Sequence, residues 1–239
     1  MTAALLACAV LAAARPARAA EAGPSPAAYE ARIHAVIEGF TVRSTIGPAE
    51  TPLPLELSNL LLDHPDLAAY IVRVHKLAPY RITMRGPRQS WADDGDGTRG
   101  LVTLVERTEN HRLYYGEGTH RSRLFPLIRA SAVIAMDVQD AAGPDGRPAT
   151  RTTFVVYVKI KNRFLAGVVR VLRPFLRRTV VGKFTKAFLV ADQVGRLMAK
   201  DPRAVAADVR AFPDLSPETR AAFLAGIAAL DAPRPAPAR

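Results

Sequence analysis

The sequence has almost no cysteine, few aromatic residues and no apolar run long enough to cross a membrane. Cys8 is the single cysteine in 239 residues, and aromatic residues make up 7% of the chain. The longest apolar run, Thr2 to Ala14, is shorter than the roughly 20 residues that a membrane-spanning helix needs. Neither a disulfide framework nor a membrane-spanning protein is therefore expected.

Motifs for nucleotide binding, metal binding and covalent catalysis are also missing. There is no G-x-G-x-x-G, no phosphate-binding loop and no Ser nucleophile elbow. The 5 histidines lack zinc-motif spacing. The stretch "DDGDG" at 93–97 lacks the spacing of a calcium loop and instead predicts a hairpin turn. We expect no metal and no cofactor.

The N-terminal residues 1–19 are typical of a signal peptide. Their apolar run is followed by Ala17-Arg18-Ala19, an A-x-A cleavage pattern. Cleavage near Ala19 would remove Cys8, and the mature protein would be periplasmic or secreted. The formal charge of +11 favours an acidic partner. Because the basic residues are not interleaved with stacking aromatics, and because the protein is expected to be exported, nucleic acid is not the predicted partner.

The rest of the chain divides by composition into a main domain and flanking segments. Residues 20–38 predict a linker and a short helix. Residues 39–200 predict a strand, two short helices with Asp63 capping the second, a series of strands from Tyr80 to Ile160, and a long helix from about Pro174 to Lys200. Short turns between the strands favour an antiparallel sheet. Residues 201–231 predict a helical extension, and 232–239 a disordered tail.

This order of elements resembles the START-like (SRPBCC) superfamily, which has the helix-grip fold. The resemblance covers Gly39 to Lys200. It lies in "FTVRSTI" before "LELSNLLLDHPDLAAYI", and in "TTFVVYVKIKN" leading to "LRPFLRRTVVGKFTKAF". The superfamily includes START lipid-transfer domains, polyketide cyclases and aromatases, and coenzyme Q-binding proteins. The resemblance implies an α+β fold, in which a curved antiparallel sheet wraps around a long C-terminal helix and leaves an apolar cavity.

The function that this resemblance implies is binding of a hydrophobic ligand, a lipid or isoprenoid, under the long helix and without catalysis. The protein would then be an exported lipid carrier. Small residues on the buried stripe of the helix would either leave space for a ligand or allow close packing. The predicted lining residues are Trp91, Tyr157, Phe184, Phe188, Ala191 and Gly195.

Two other functions remain open from the sequence. A Glu or His turned into the cavity would make the protein a cyclase- or hydrolase-type enzyme. Glu106, Glu109 and Glu117 are the candidate carboxylates. The alternative is that these side chains lie at solvated strand edges and do not face the cavity. Alternatively, the C-terminal helices would bind a protein partner and make the chain an interaction module.

A cluster of arginines surrounds the start of the long helix without a nearby acidic residue. Arginines suit phosphate and carboxylate groups, so the cluster predicts either peripheral contact with an anionic membrane or an ordinary solvated surface. The predicted docking residues are Arg170, Arg173, Arg177 and Arg178.

Overall fold

A computed structural model describes residues 26–121, 127–143, 146–161 and 169–230. The predicted signal peptide and C-terminal tail lie outside these ranges. The helices are α1 (Pro26–Glu38), α2 (Leu55–Asp63), α3 (Pro65–Val74), α4 (Val169–Lys200), α5 (Pro202–Ala211) and α6 (Pro217–Leu230). The strands are β1 (Val42–Thr51), β2 (Arg81–Gly86), β3 (Gln89–Asp93), β4 (Thr98–Arg107), β5 (His111–His120), β6 (Ile128–Ala142) and β7 (Pro148–Ile160).

The strands form one antiparallel sheet, and helix α4 packs across it. The strand order is β1-β7-β6-β5-β4-β3-β2, so β1 and β2 are the two edges. Short turns join β2 to β3, β3 to β4 and β4 to β5, while α2 and α3 lie between β1 and β2 in the chain. A single antiparallel sheet gripping one long helix is the α+β architecture of a helix-grip fold, as the sequence predicts.

The two faces of the sheet are covered by different helices. On one face, here called the α4 face, Val42, Val156 and Val158 are buried against Val180 and Phe184. Helix α1 lies on the opposite face, here called the α1 face, where its residues pack on β4, β5, β6 and β7. The buried residues of that face are Tyr29, Val36, Val105, Tyr115 and Val133. Side chains alternate between the faces because a strand has a period of two.

The C-terminal helices belong to the largest apolar core. Val205 and Val209 of α5 and Phe223 and Ile227 of α6 pack with residues of α2, α3 and the second half of α4. All four are 2% exposed or less. Residues 202–230 are thus built into the helical core of the domain, where the sequence predicts a helical extension.

Three local features differ from the sequence-based predictions. Helix α4 begins at Val169 and continues through Pro174, whose missing N–H leaves the carbonyl group of Arg170 without its helical partner. Strand β3 was not predicted. His64, not Asp63, is the N-cap residue of α3, and it makes no side-chain cap. The Asp63 carboxylate is instead bonded to arginines of the sheet, where charge-assisted hydrogen bonds are stronger than a cap.

Candidate ligand-binding surface

One row of facing residues crosses all seven strands on the α4 face, and most of its residues beyond β7 are only half-buried. From β1 to β2 the row consists of Val42, Val158, Ala132, Gly116, Val102, Ser90 and Met84. The first two residues are buried under α4. Farther along the row, Ala132, Gly116, Val102 and Met84 are only half-buried, while Ser90 is buried. Helix α4 therefore covers the β1 side of this face more completely than the β2 side.

The half-buried apolar residues of the α4 face form one surface, here called the apolar floor. It consists of Ile82, Met84, Ala92, Val102, Leu104, Gly116, Ala132 and Ile134. Val180 and Phe184 of α4, also half-buried, border the floor. Among the described residues, a Cβ atom built on Gly116 would meet only the Leu101 carbonyl oxygen, at 3.8 Å, so no described side chain fills the space next to this position. Apolar surface of this kind, next to a covering helix, is suited to a hydrophobic ligand.

Tyr114 lies at one end of the floor, under α2. Its ring packs with Leu55, Met136 and Phe154, and its neighbour across the strand is Ile134. The hydroxyl group makes no hydrogen bond to the residues that the structure describes. Burial raises the pKa of Tyr114 to about 12, against the opposing effect of the nearby arginines. The phenol is thus a neutral hydrogen-bonding group in an apolar setting.

A buried arginine beside Tyr114 attaches α2 to the sheet. Arg112 is 0% exposed. Its Nη1 donates to Asn59 Oδ1 at 2.8 Å, and its Nη2 donates to Asp63 Oδ1 at 3.0 Å. Burial raises the pKa of Asp63, but hydrogen bonds from Arg107 and Arg112 outweigh it and hold the pKa below its ordinary value. No sequence motif marks this network, because Asn59 and Arg112 are far apart in the chain.

The other end of the floor carries a polar cluster that joins α4 to the β3–β4 turn. Lys183 Nζ donates to Asp94 Oδ2 at 2.7 Å and to Asp96 Oδ2 at 3.0 Å. The backbone N–H of Thr98 donates to Asp94 Oδ1 at 2.9 Å. This Lys183–Asp94 contact fixes the helix over the β2 side of the sheet, where few apolar contacts hold it.

His120 belongs to the same end of the α4 face. Its Nδ1 lies 3.1 Å from Thr98 Oγ1. Burial lowers the pKa of His120, as does the charge of Lys183, so the imidazole is neutral at pH values near 7. An enzyme that used a cavity histidine would have this residue available.

The three candidate carboxylates do not lie on the apolar floor. Glu106 and Glu109 are exposed. Glu117 lies on the α1 face, where Lys161 Nζ donates to its Oε1 at 2.6 Å. That hydrogen bond lowers the pKa of Glu117 more than burial raises it. An ionised, paired carboxylate on the far face of the sheet cannot act on a ligand under α4.

The predicted lining residues are not gathered around one cavity. Phe184 borders the apolar floor, and the side chain of Phe188 lies outside the described part of the structure. Tyr157 and Trp91 are on the α1 face: Tyr157 packs with the α1 cluster, and Trp91 is 40% exposed. Tyr157 is next to Val158 in the chain, and Trp91 is next to Ser90. Because successive side chains of a strand point to opposite faces, and Val158 and Ser90 are on the α4 face, Tyr157 and Trp91 lie on the α1 face.

The two small residues of α4 also differ from the predicted lining. Ala191 is exposed on the outer side of the helix. Gly195 is buried, and a Cβ atom there would collide with the Thr51 methyl group. Gly195 thus permits close approach between α4 and β1 and adds no space for a ligand. Of the two explanations for small residues on this helix, close packing is the one that applies to Gly195.

The predicted docking arginines are partly described. Arg177 and Arg178 are exposed and form no ion pair with any described residue. Arg170 and Arg173 lie in the first turns of α4, and their side chains are outside the described part. Arg178, Gly182, Lys186 and Leu189 follow one another at helical spacing on the exposed side, and Leu189 is 54% exposed.

A separate groove of about 410 Å³ lies beside α4 at the β1 edge. Its lining residues are Pro48, Ala49, Glu50, Arg151, Leu189, Asp192 and Arg196. Glu50 pairs with Arg151, and Asp192 pairs with Arg196. The groove is open to solvent and lined largely by charged side chains, so the apolar floor is the better candidate for a hydrophobic ligand.

Comparison with known proteins gives structural neighbours only. No protein-family model matches the chain, and no curated protein matches it. The structure of a conserved protein from Geobacillus kaustophilus matches with 13% identity and a TM-score of 0.42, covering 65% of this chain and 95% of that one. The structure of Ara h 8.0201 matches with 12% identity and a TM-score of 0.38, covering 64% and 98%. Because both TM-scores are low, the helix-grip fold is assigned from the strand order and from the packing of α4 on the sheet.

None of the helices in the described ranges is both long and apolar enough to span a bilayer. Within the same ranges, no group of three or more His, Cys, Asp or Glu residues could hold a metal ion.

Proposed function

We propose that this protein binds a hydrophobic ligand, a lipid or isoprenoid, between the apolar floor and helix α4, and carries it after export from the cytoplasm. The proposal depends chiefly on one observation: the apolar side chains at the middle of the α4 face are only half-buried. A domain core normally buries such residues fully. A bound ligand would complete that burial and gain about 25 cal/mol for each Å² of apolar surface removed from water.

The polar groups at the two ends suggest the character of the ligand. Tyr114 offers one uncharged hydroxyl at the inner end, while at the other end the carboxylates of Asp94 and Asp96 are both paired with Lys183. Such a lining suits a long apolar chain with one hydroxyl or carbonyl group. Native mass spectrometry of protein purified from its own host would identify a copurified molecule of this kind.

A substitution that fills the floor tests the proposal. Gly116→Phe would project a ring above the floor, since a Cβ atom at this position meets no close neighbour among the described residues. We expect the affinity for the fluorescent probe 11-(dansylamino)undecanoic acid to fall at least about tenfold, which corresponds to about 1.4 kcal/mol. The probe's fluorescence on titration measures the affinity.

Gly182→Phe is the matched control, because Gly182 is exposed on the outer side of α4 and a Cβ atom there meets no described residue within 4 Å. It should bind the probe like the parent protein. Equal affinities for the two variants, both folded by circular dichroism, would show that the probe does not bind on the floor.

We further propose that the N-terminal half of α4 docks on an anionic membrane, where the ligand would be collected or released. Arg177 and Arg178 supply free positive charge, and Leu189 supplies exposed apolar surface farther along the helix. Basic and apolar groups on one helix are the combination that interfacial helices use.

A further inference from the structure

The groove at the β1 edge is a second concave site, and it shares no lining residue with the apolar floor. One wall is strand β1, whose pairing with β7 skips Gly47 and Pro48, so that the strand bulges there. The other wall is α4, which contributes Leu189, Asp192 and Arg196 at helical spacing. Because both walls carry charged side chains, the groove suits a ligand with charged groups of its own.

Asp192 is the least exposed charged residue of the groove, and one of its oxygen atoms has no partner. Its side chain is 16% exposed, against 64% for Arg196. Arg196 Nε donates to Asp192 Oδ2 at 2.8 Å. The other oxygen, Oδ1, is buried and accepts no hydrogen bond from the residues that the structure describes. A buried carboxylate oxygen without a donor is costly, so the position favours a ligand that donates a hydrogen bond.

The four charged side chains make the groove neutral overall. Glu50 pairs with Arg151, and Asp192 pairs with Arg196. Both arginines are exposed, and exposed ion pairs contribute little stability. A ligand can therefore replace one partner of a pair at small cost. Because both signs of charge are present, the groove suits a zwitterion better than a simple anion or a simple cation.

Leu189 joins the groove to the side of α4 that is proposed to dock on a membrane. It lines the groove, and it follows Arg178 and Lys186 along the exposed side of the helix. More than half of this leucine is exposed. A small soluble zwitterion has no apolar part to cover Leu189, whereas a lipid has one directly beside its headgroup.

We propose that the groove binds the zwitterionic headgroup of a membrane lipid that has a primary ammonium group, as in phosphatidylethanolamine. The ammonium group would donate to Asp192 Oδ1, and the phosphate would accept from the Arg196 guanidinium, which turns away from Asp192 to reach it. The lipid's apolar part would cover Leu189. The lipid source rests on the proposed membrane docking of α4, whereas the chemistry of the groove does not.

Two soluble headgroup compounds test the chemistry of the groove without a membrane. O-phosphoethanolamine has a primary ammonium group, and phosphocholine differs from it only by three N-methyl groups, which leave no N–H to donate. We expect O-phosphoethanolamine to bind at least about fivefold more tightly, since one charge-assisted hydrogen bond distinguishes the two compounds. Titration followed by NMR measures both affinities, and the amides of residues 48–50 and 189–196 should shift.

Vesicles test the lipid source. Two preparations contain the same fraction of phosphatidylglycerol, with either phosphatidylethanolamine or phosphatidylcholine as the remaining lipid. The full chain should bind the ethanolamine vesicles at least about threefold more tightly in cosedimentation.

A single substitution identifies the residue responsible for the preference. Asp192→Asn should reduce the preference to less than about 1.5-fold for both the soluble compounds and the vesicles, because the amide has lost the negative charge that attracts the ammonium group. Asp214→Asn is the matched control, since Asp214 is exposed and does not line the groove. It should keep the parent's preference. The comparison of the two soluble compounds on the parent protein needs no variant, so it remains decisive if Asp192→Asn does not fold.

The groove proposal and the docking proposal fail in different ways. Equal affinities for the two soluble compounds, no binding of either, or a preference that survives in Asp192→Asn would overturn the groove proposal. If the parent also bound both kinds of vesicle equally, docking of α4 would stand without a headgroup site. Binding of O-phosphoethanolamine in the groove without binding to either vesicle would overturn the lipid source, and the ligand would be a free phosphorylated amine.

Discussion

At the residue scale, Tyr114 offers the sharpest test of what the apolar floor recognises. Its hydroxyl has no hydrogen-bond partner among the described residues, so Tyr114→Phe removes no hydrogen bond within the part of the chain that the structure describes. We expect the free energy of unfolding in urea to change by less than about 0.5 kcal/mol. A ligand with a hydroxyl group should lose about 0.5–1.5 kcal/mol of binding, which is about two- to tenfold in affinity.

The measurement compares 1-dodecanol with dodecane as competitors of the dansylated fatty-acid probe. Only the alcohol can bond to the phenol, so the substitution should weaken 1-dodecanol and leave dodecane unchanged. An equal effect on both competitors, or a large loss of stability, would mean that the hydroxyl group serves the fold.

Single residues also show where prediction from sequence stops. Phe184 was predictable, because its helical stripe has one apolar side. The positions of Trp91 and Tyr157 were not predictable. Alternation along a strand separates its residues into two faces, but it does not show which face is covered by α4. That choice depends on pairing across the sheet, such as Val158 with Ala132. Gly116 was missed for the same reason, since a glycine in a strand has no side chain to indicate a face.

At the element scale, the attachment of α4 to the β3–β4 turn should weaken at low pH. Burial raises the pKa of Asp94, but hydrogen bonds from Lys183 and from the Thr98 and Asp96 amides outweigh it, and the folded pKa is lowered. A carboxyl group with a lowered folded pKa stabilises the fold above its unfolded pKa of about 3.9. That stabilisation is lost as the pH falls through the lower, folded pKa.

Asp94→Asn therefore should lower the free energy of unfolding by about 1–2 kcal/mol at neutral pH, between the values for exposed and buried charge pairs. The difference from the parent should shrink as the pH falls below about 4. Urea unfolding at several pH values measures it. Asp96→Asn is the control: that side chain is 75% exposed against 22% for Asp94, so its effect should be smaller. Equal effects at both positions, or a pH-independent difference, would contradict this account.

Among whole elements, those with strong local signals were predicted best. The stretch "HRLYYGEGTH" was predicted as a strand and is β5, His111–His120. Strand β3 was missed because it has only five residues, of which Ser90 alone is buried. The start of α4 was placed too late because Pro174 suggested a break, whereas the helix tolerates a proline near its N-terminus at the loss of one hydrogen bond.

For the whole molecule, the two helices α1 and α4 on opposite faces separate two basic surfaces. Arg177 and Arg178 lie on α4, whereas Arg81 and Arg85 lie on the α1 face beside Trp91. A flat membrane cannot touch both faces of one sheet. These four arginines, which contribute to the formal charge of +11, therefore lie on two separate surfaces.

The last prediction concerns the α4 surface that carries Arg177 and Arg178. Arg177→Gln with Arg178→Gln should weaken binding to vesicles of phosphatidylcholine and phosphatidylglycerol. Each arginine near such a surface contributes about 1 kcal/mol, so the pair should account for about thirtyfold in affinity. Cosedimentation with the vesicles measures it. Binding by the parent should also weaken with added salt, since screening acts over about 8 Å at physiological ionic strength.

Arg81→Gln with Arg85→Gln is the control of equal charge change, and it should leave vesicle binding intact. Both double variants should keep their affinity for the dansylated fatty-acid probe, because neither pair of arginines lies on the apolar floor. If both pairs weakened vesicle binding equally, the attraction would come from net charge and not from α4. If salt had no effect on the parent, the contact would be apolar, and Leu189, more than the arginines, would be the residue that anchors the helix.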